Sequence, residues 1–310
     1  MRKRIKPPRL AAGDTVGITA PASWGEWSRI ERAAGYLTRM GLNVRFGGTL
    51  SGQYGYLAGT DEERAAELNA MFADPDIRAI VCARGGYGSG RIADRLDYDR
   101  IRDNPKIFWG YSDITFLHTA IGNRSGLVTF HGPMLTCLAE EQVHPLTLQG
   151  FEQLFHPKPV VYTETISPLC ALVEGEAYGP LVGGNLTLLV STLGTPYELD
   201  TRGRILFIEE IDEEPYRVDR MLNQLRQAGK LADASGILVC DFHNCEPNKY
   251  NISLTLEQVI RHHIVQAGRP ALAGFRIGHC SPNIAVPLGI EARMSTAQKK
   301  LEFMEPAVEA

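Results

Sequence analysis

The sequence predicts an α/β protein built on a mainly parallel sheet covered on both faces, and two observations predict it. Short apolar runs of strand length alternate with charged, helix-periodic segments along the chain. Several of those runs, such as Ile80-Val81-Cys82 and Ile205-Leu206-Phe207-Ile208, are apolar on consecutive residues, as strands buried on both faces are. The 310 residues suit two domains or one large one. Hydrophobic content of 44% and charged content of 22% are those of an ordinary globular protein. Net charge is −4 and the basic residues form no long run, so neither nucleic-acid nor membrane binding is supported.

Met1-Arg2-Lys3-Arg4-Ile5-Lys6 has the charge of a signal peptide's start, but Pro7 and Pro8 follow where an apolar core would stand. The expectation is a cytoplasmic protein. Six cysteines scattered singly through apolar contexts agree, reading as reduced buried thiols.

In order, Thr15-Val16-Gly17-Ile18-Thr19 reads as a first strand that breaks into a loop at Ala20-Pro21-Ala22-Ser23. A helical pattern over residues 30–40 is closed by Gly41, and residues 42–46 alternate as a second strand. Residues 61–72 form a charged amphipathic helix capped by Asp61 or Thr60. A third strand, residues 77–82, runs into Arg84-Gly85-Gly86-Tyr87-Gly88-Ser89-Gly90. That loop matches neither a dinucleotide fingerprint nor a Walker A loop. It can still offer bare N–H groups to an anion, or be a turn needing positive φ. Residues 107–110 form a fourth strand, and Val128-Thr129-Phe130-His131-Gly132-Pro133-Met134 a fifth that runs into a turn. His131 reads as a base or as a packed core histidine. Residues 156–176 have linker composition, which places the boundary between domains 1–160 and 161–310.

In the second half, residues 179–186 read as a turn capping a helix over 187–193. The strand 204–208 delivers Glu209 and Glu210 at its end, with Asp212, Glu213 and Glu214 following as an acidic loop. A helix over 216–228, a strand over 237–240 and a helix over 254–265 come next. His279 then ends a strand just before Ser281-Pro282-Asn283. Cys240, His243 and Cys245 are zinc-ligand types, yet no second pair stands at zinc spacing, and a strand running into a turn fits better.

Chemistry concentrates at Ser112. It lies on a tight strand-to-helix turn, between the run ending at Gly110 and a helical pattern at Ile114, Leu117 and Ile121. Such a turn exposes a hydroxyl at the sheet's carboxyl edge beside the free N–H groups of a helix start, the minimum for acyl transfer. Taken alone, a serine at a helix start is usually just an N-cap, and Ile114 stands where the Gly-x-Ser-x-Gly elbow has its second glycine. A serine needs a base, and imidazole, with a pKa of ~6.5, suits the task when a carboxylate fixes its tautomer. Ser112, a glutamate and His279 stand in that order at three strand ends.

Five motifs together resemble the LD-carboxypeptidases, the serine peptidases that include murein tetrapeptide carboxypeptidases and microcin-immunity peptidases. They are Arg84-Gly85-Gly86-Tyr87-Gly88, Gly110-Tyr111-Ser112-Asp113-Ile114-Thr115, Gly183-Gly184-Asn185-Leu186, Ile208-Glu209-Glu210 with Tyr216-Arg217-Val218-Asp219-Arg220, and Gly278-His279. The resemblance implies a flavodoxin-like N-terminal domain and a smaller, β-rich, swivelling C-terminal domain, in a homodimer. It implies a Ser112–Glu209–His279 triad, with Glu209 taken as the first acid after the strand where the family commonly reads Leu-Glu-Asp. It implies oxyanion donors at the N–H groups of Gly86 and Asp113. Arg84 and Asn185 become candidate substrate contacts. The implied reaction removes a C-terminal D-amino acid from an L-centre in a small murein peptide, without metal or organic cofactor.

Two other readings compete. A microcin-immunity-type peptidase would cleave peptidyl- or aminoacyl-nucleotides, with a tryptophan-bearing recognition loop. This chain has three Trp, two of them near the start at Trp24 and Trp27. A non-catalytic ligand-binding α/β protein would use Ser112 only as a cap. A nucleophilic cysteine at Cys82 or Cys280 is a further alternative.

Overall fold

A computed structural model describes residues 4–140, 142–248 and 252–310. The charged start Met1-Arg2-Lys3 lies outside the described residues. The chain forms two compact units. The first runs to Lys158 and takes in Ile284–Leu288 and Pro306–Ala310; the second comprises Pro159–Asn283 and Gly289–Glu305. A single cut near residue 160 therefore does not separate them, because two later segments pair back into the first unit.

In the first unit β1 (Thr15–Thr19), β2 (Asn43–Phe46), β3 (Ile77–Cys82), β4 (Ile107–Gly110) and β5 (Thr129–His131) lie parallel in the order 5-4-3-1-2. Val286–Leu288 adds an antiparallel edge beside β5, so the sheet is parallel in all but that strand. β3 is buried at every position except Arg78, as its run of apolar residues requires. The helix Asp61–Ala73 starts where its capping box dictates. Thr60 accepts from the Glu63 N–H, and Glu63 accepts from the Thr60 N–H. Its inner face, Leu68, Met71 and Phe72, packs with Ile80, Phe108, Ile114 and Leu117 in one core. Strand order reverses between β1 and β3, which is where open α/β sheets place their ligands.

The second unit holds β6 (Val161–Thr163), β7 (Cys170–Val173), β8 (Glu176–Asn185), β9 (Ile205–Ile211), β10 (Gly236–His243) and β11 (Ala271–Ala273). The chain then enters the first sheet as β12 (Val286–Leu288) and returns as β13 (Glu291–Ser295) and β14 (Lys300–Phe303). The second sheet runs 6-14-13-8-9-10-11-7, with β8 to β11 parallel and antiparallel wings on both sides.

Several expectations are corrected here. Residues 156–176 are not linker, since β6 and β7 lie within them. Residues 179–186 are not a turn: β8 runs through them to Asn185. Its glycines are there for close approach, because a Cβ at Gly183 would stand 1.9 Å from the Phe207 carbonyl oxygen. Glu209 and Glu210 lie inside β9 rather than beyond it, and Cys240 to His243 lie inside β10. His279 sits on the loop after β11, which ends at Ala273, and not at a strand end. Among the described residues, no helix is long and apolar enough to cross a membrane.

Candidate active site

β4 ends at Gly110, where a side chain would press on both neighbours, its Cβ 3.1 Å from that of Cys82 and 3.2 Å from Ile114. Two residues on, Ser112 adopts φ +62°, a left-handed backbone that costs a non-glycine residue about 1–2 kcal/mol. A single 3₁₀ turn, Ser112–Ile114, leads into the helix Thr115–Arg124. His118, one turn along that helix, donates from Nε2 to the Gly110 carbonyl at 2.8 Å. Burial drives its pKa down to about 4, which keeps the ring neutral. The sequence offered no sign of this brace beyond a histidine on an apolar helix.

The glycine loop after β3 passes against the serine. A Cβ at Gly85 would lie 3.1 Å from the Ser112 Cβ and 3.3 Å from the Asp113 nitrogen. Gly86, at φ +101°, leaves room for Ser23, whose Oγ would be 2.5 Å from an added Cβ. Ser23 in turn holds the loop, donating from N–H to the Gly85 carbonyl and accepting from the Tyr87 N–H, both at 3.2 Å. The Asp113 carboxylate accepts from the Ser89 N–H at 2.8 Å, and its carbonyl from the Ser89 hydroxyl at 2.6 Å. Burial pushes that carboxyl above the ordinary range, against the pull of the Ser89 and Gly88 N–H groups and the Arg64 charge. The Asp113 side chain is thus engaged with Ser89.

Three more candidates lie in this unit, Arg84, His131 and Cys82. Arg84 is exposed and donates from Nη1 to the Trp24 carbonyl at 2.8 Å. His131 is fully buried in β5, its ring packed against those of Tyr111 and His118. Cys82 is fully buried and its thiol is pushed well up by desolvation, the opposite of what a nucleophile requires.

In the second unit, neighbouring residues of β9 point to opposite faces, and this divides the two glutamates. Glu209 is fully buried, and its Oε2 accepts from His279 Nδ1 at 2.7 Å. Gly278 makes the approach feasible: it sits at φ +118°, and a Cβ on it would come within 2.6 Å of that same oxygen. The Asn283 side chain accepts from the Gly278 N–H at 3.3 Å and holds the loop. Burial works to lower the His279 pKa, but the hydrogen bond and charge of Glu209, with the charges of Glu210 and Asp241, outweigh it. The imidazole therefore titrates above the ordinary histidine value.

Glu210 faces the other way and is fully used. It accepts from Asn185 Nδ2 at 2.7 Å, from the Thr187 N–H and hydroxyl at 2.8 and 2.7 Å, and from the Ile211 N–H at 2.9 Å. Asn185 also caps the helix Leu186–Ser191, accepting from the Leu188 N–H. Asn185 is buried, with one hydrogen bond at each end of its amide. Cys280 neighbours His279, but burial drives its thiol up to about 12. Among the described residues, no group of three or more His, Cys, Asp or Glu is placed to hold a metal ion.

A carboxylate–imidazole pair in one unit, and a strained serine beside backbone donors in the other, are the parts of an acyl-transfer enzyme. Both halves of the chain match one family. Residues 16–132 match the LD-carboxypeptidase N-terminal domain, and residues 178–294 the LD-carboxypeptidase C-terminal domain. A Bacillus subtilis (strain 168) protein named "Probable murein peptide carboxypeptidase" is 60% identical over 295 residues, 95% of this chain and 92% of its own. The microcin C7 self-immunity protein MccF of Escherichia coli is 30% identical over 96% of this chain and 94% of its own. A structure of MccF with aspartyl sulfamoyl adenosine matches at TM-score 0.89 and 27% identity, covering 98% of this chain and 100% of that chain. The muramoyltetrapeptide carboxypeptidase from Oxalobacter formigenes matches at TM-score 0.82 and 28% identity, covering 93% and 97%. The chain belongs to the LD-carboxypeptidase family.

Proposed function

We propose that the chain is a serine-type LD-carboxypeptidase that releases the C-terminal D-alanine of murein tetrapeptides in cell-wall recycling. The 60% identity to a protein named as a murein peptide carboxypeptidase supports the substrate. The reading of the mechanism rests on one observation, the part-buried 2.7 Å hydrogen bond from His279 Nδ1 to the buried Glu209. That bond occupies Nδ1 and leaves Nε2 as the basic atom. Ser112 Oγ attacks the carbonyl carbon of the scissile amide while His279 Nε2 takes its proton. The N–H groups of Gly86 and Asp113 hold the resulting oxyanion. The C–N bond breaks as His279 returns the proton to the departing D-alanine, and water then releases the acyl group from Ser112 by the same base. The substrate's terminal carboxylate is assigned to Arg84. The six free cysteines suit a reducing compartment, and we place the enzyme in the cytoplasm as a homodimer without metal or cofactor.

Mass spectrometry of the purified protein incubated with murein tetrapeptide, beside aspartyl sulfamoyl adenosine, tests the reading. Tripeptide and free D-alanine are expected, with Ser112→Ala slower by about 10⁴-fold or more. Preferred cleavage of the sulfamoyl adenosine would move the chain to the immunity-type reading. An active Ser112→Ala variant would remove serine catalysis altogether.

A further inference from the structure

Arg64 is fully buried, which is rare for an arginine and costly unless every donor is used. It lies on the inner side of the helix Asp61–Ala73, and its fork reaches four acceptors. Nε donates to the Gly59 carbonyl at 3.2 Å, Nη1 to the carbonyls of Pro21 and Gly88, and Nη2 to the Asp61 carboxylate. Pro21 is on the loop after β1, and Gly88 closes the glycine loop after β3. One guanidinium thus ties together the two loops that flank the strand-order reversal.

Ser89, the residue after Gly88, carries the tie onward through its two hydrogen bonds to Asp113. A continuous set of contacts therefore runs Arg64, Gly88, Ser89, Asp113, and ends next to Ser112. Gly86 lies between Gly85 and Tyr87, the two residues that Ser23 holds, and Arg64 holds the same loop two residues on, at Gly88. The Asp113 N–H is thus on a segment this set fixes, and the Gly86 N–H is on the loop that Ser23 and Arg64 hold together.

We propose that Arg64 is a positioning residue for the oxyanion site: its planar fork, passing through Gly88 and Ser89, sets the spacing between the Gly86 and Asp113 N–H groups. The proposal rests on Ser112 being the nucleophile. A lysine in its place would keep the charge, but its single nitrogen carries three donors and cannot serve all four acceptors that the fork divides among three nitrogens. Donors displaced by a fraction of an ångström lose transition-state stabilisation while substrate binding stays as it was.

The test compares wild type with Arg64→Lys and Ser89→Ala, with active sites counted by fluorophosphonate labelling. For Arg64→Lys, kcat per labelled site should fall by about 10–100-fold with KM within about twofold. Ser89→Ala should fall by about 3–10-fold in the same pattern. The acid limb of the pH profile should stay in place in both, since His279 is untouched. The fluorophosphonate inactivation rate should drop in parallel, because phosphonylation also needs the oxyanion donors but no peptide. A folded Arg64→Lys with wild-type kcat, or a loss confined to KM or Tm, overturns the proposal. If Arg64→Lys does not fold, an unchanged kcat in Ser89→Ala overturns it. A wild type that labels but leaves murein tetrapeptides intact would sink the substrate assignment alone, and the labelling rates would still decide the role of Arg64.

Discussion

The two units hold the groups proposed to react by opposite means. In the first, the backbone does the placing: Ser112 is held at φ +62°, and the donors beside it are N–H groups on a glycine loop and a 3₁₀ turn. In the second, the backbone around Glu209 is an ordinary strand, and the placing is done by side chains, one carboxylate gripping one imidazole. The difference teaches where each half is vulnerable. Strain in the first half belongs to the chain path and survives loss of the serine side chain. Order in the second half lives in a hydrogen bond that a single atom can remove.

The sharpest way to break this contrast is Glu209→Gln. An amide leaves the fold of β9 intact but misdirects the imidazole, and kcat should fall by about 10³–10⁴-fold. Glu210→Gln, on the other face of the same strand, should stay within about tenfold of wild type in kcat and act on stability, by about 1–3 kcal/mol. Equal losses from the two would mean that strand alternation does not divide their roles. Steady-state kinetics on both variants measures this.

Gly278→Ala comes next. Its Cβ would collide with Glu209 Oε2, so the imidazole must retreat, and a drop of about 10²-fold is expected. The pH profile refines the same point. As the proposed base His279 must be neutral to act, and its pKa lies above the ordinary value. kcat/KM should therefore rise with pH through a midpoint above ~6.5 and be lost on the acid side. In Glu209→Gln the raising carboxylate is gone and burial is left to lower the pKa, so the residual activity should show a lower midpoint. A midpoint that stays put would detach the limb from His279. The smallest effect tests the first unit. Ser112→Gly should be more stable than Ser112→Ala by about 1 kcal/mol in denaturant unfolding, because glycine accepts the left-handed backbone.

What was legible in the sequence follows the same division. Local signals read well: β3 has the bounds its apolar run predicts, and Thr60 begins its helix with a capping box. Ser112 could be singled out because strand, glycine and helix signals converge within a few residues. Non-local pairings could not be read. β6 and β7 looked like linker because their partners, β14 and β11, lie about a hundred residues or more further on. β8 looked like a turn because Gly179, Gly183 and Gly184 punctuate it, whereas Gly179 and Gly183 admit neighbouring backbone. The choice of Glu209 over Glu210 rests on which face of β9 meets His279, a fact about a loop some seventy residues away. Arg64 was invisible for a similar reason: on a charged helix, nothing in the local pattern marks one arginine as the buried one.

The antiparallel edge strand has a consequence in time. His131 of β5 pairs with Val286, about 155 residues later in the chain. At 5–20 residues per second, a ribosome needs roughly 8–30 s to supply that partner. Throughout that interval the nascent first sheet offers a bare strand edge, open to mispairing with another chain. Expression yield, and not only catalysis, should therefore be sensitive to substitutions within Val286–Leu288.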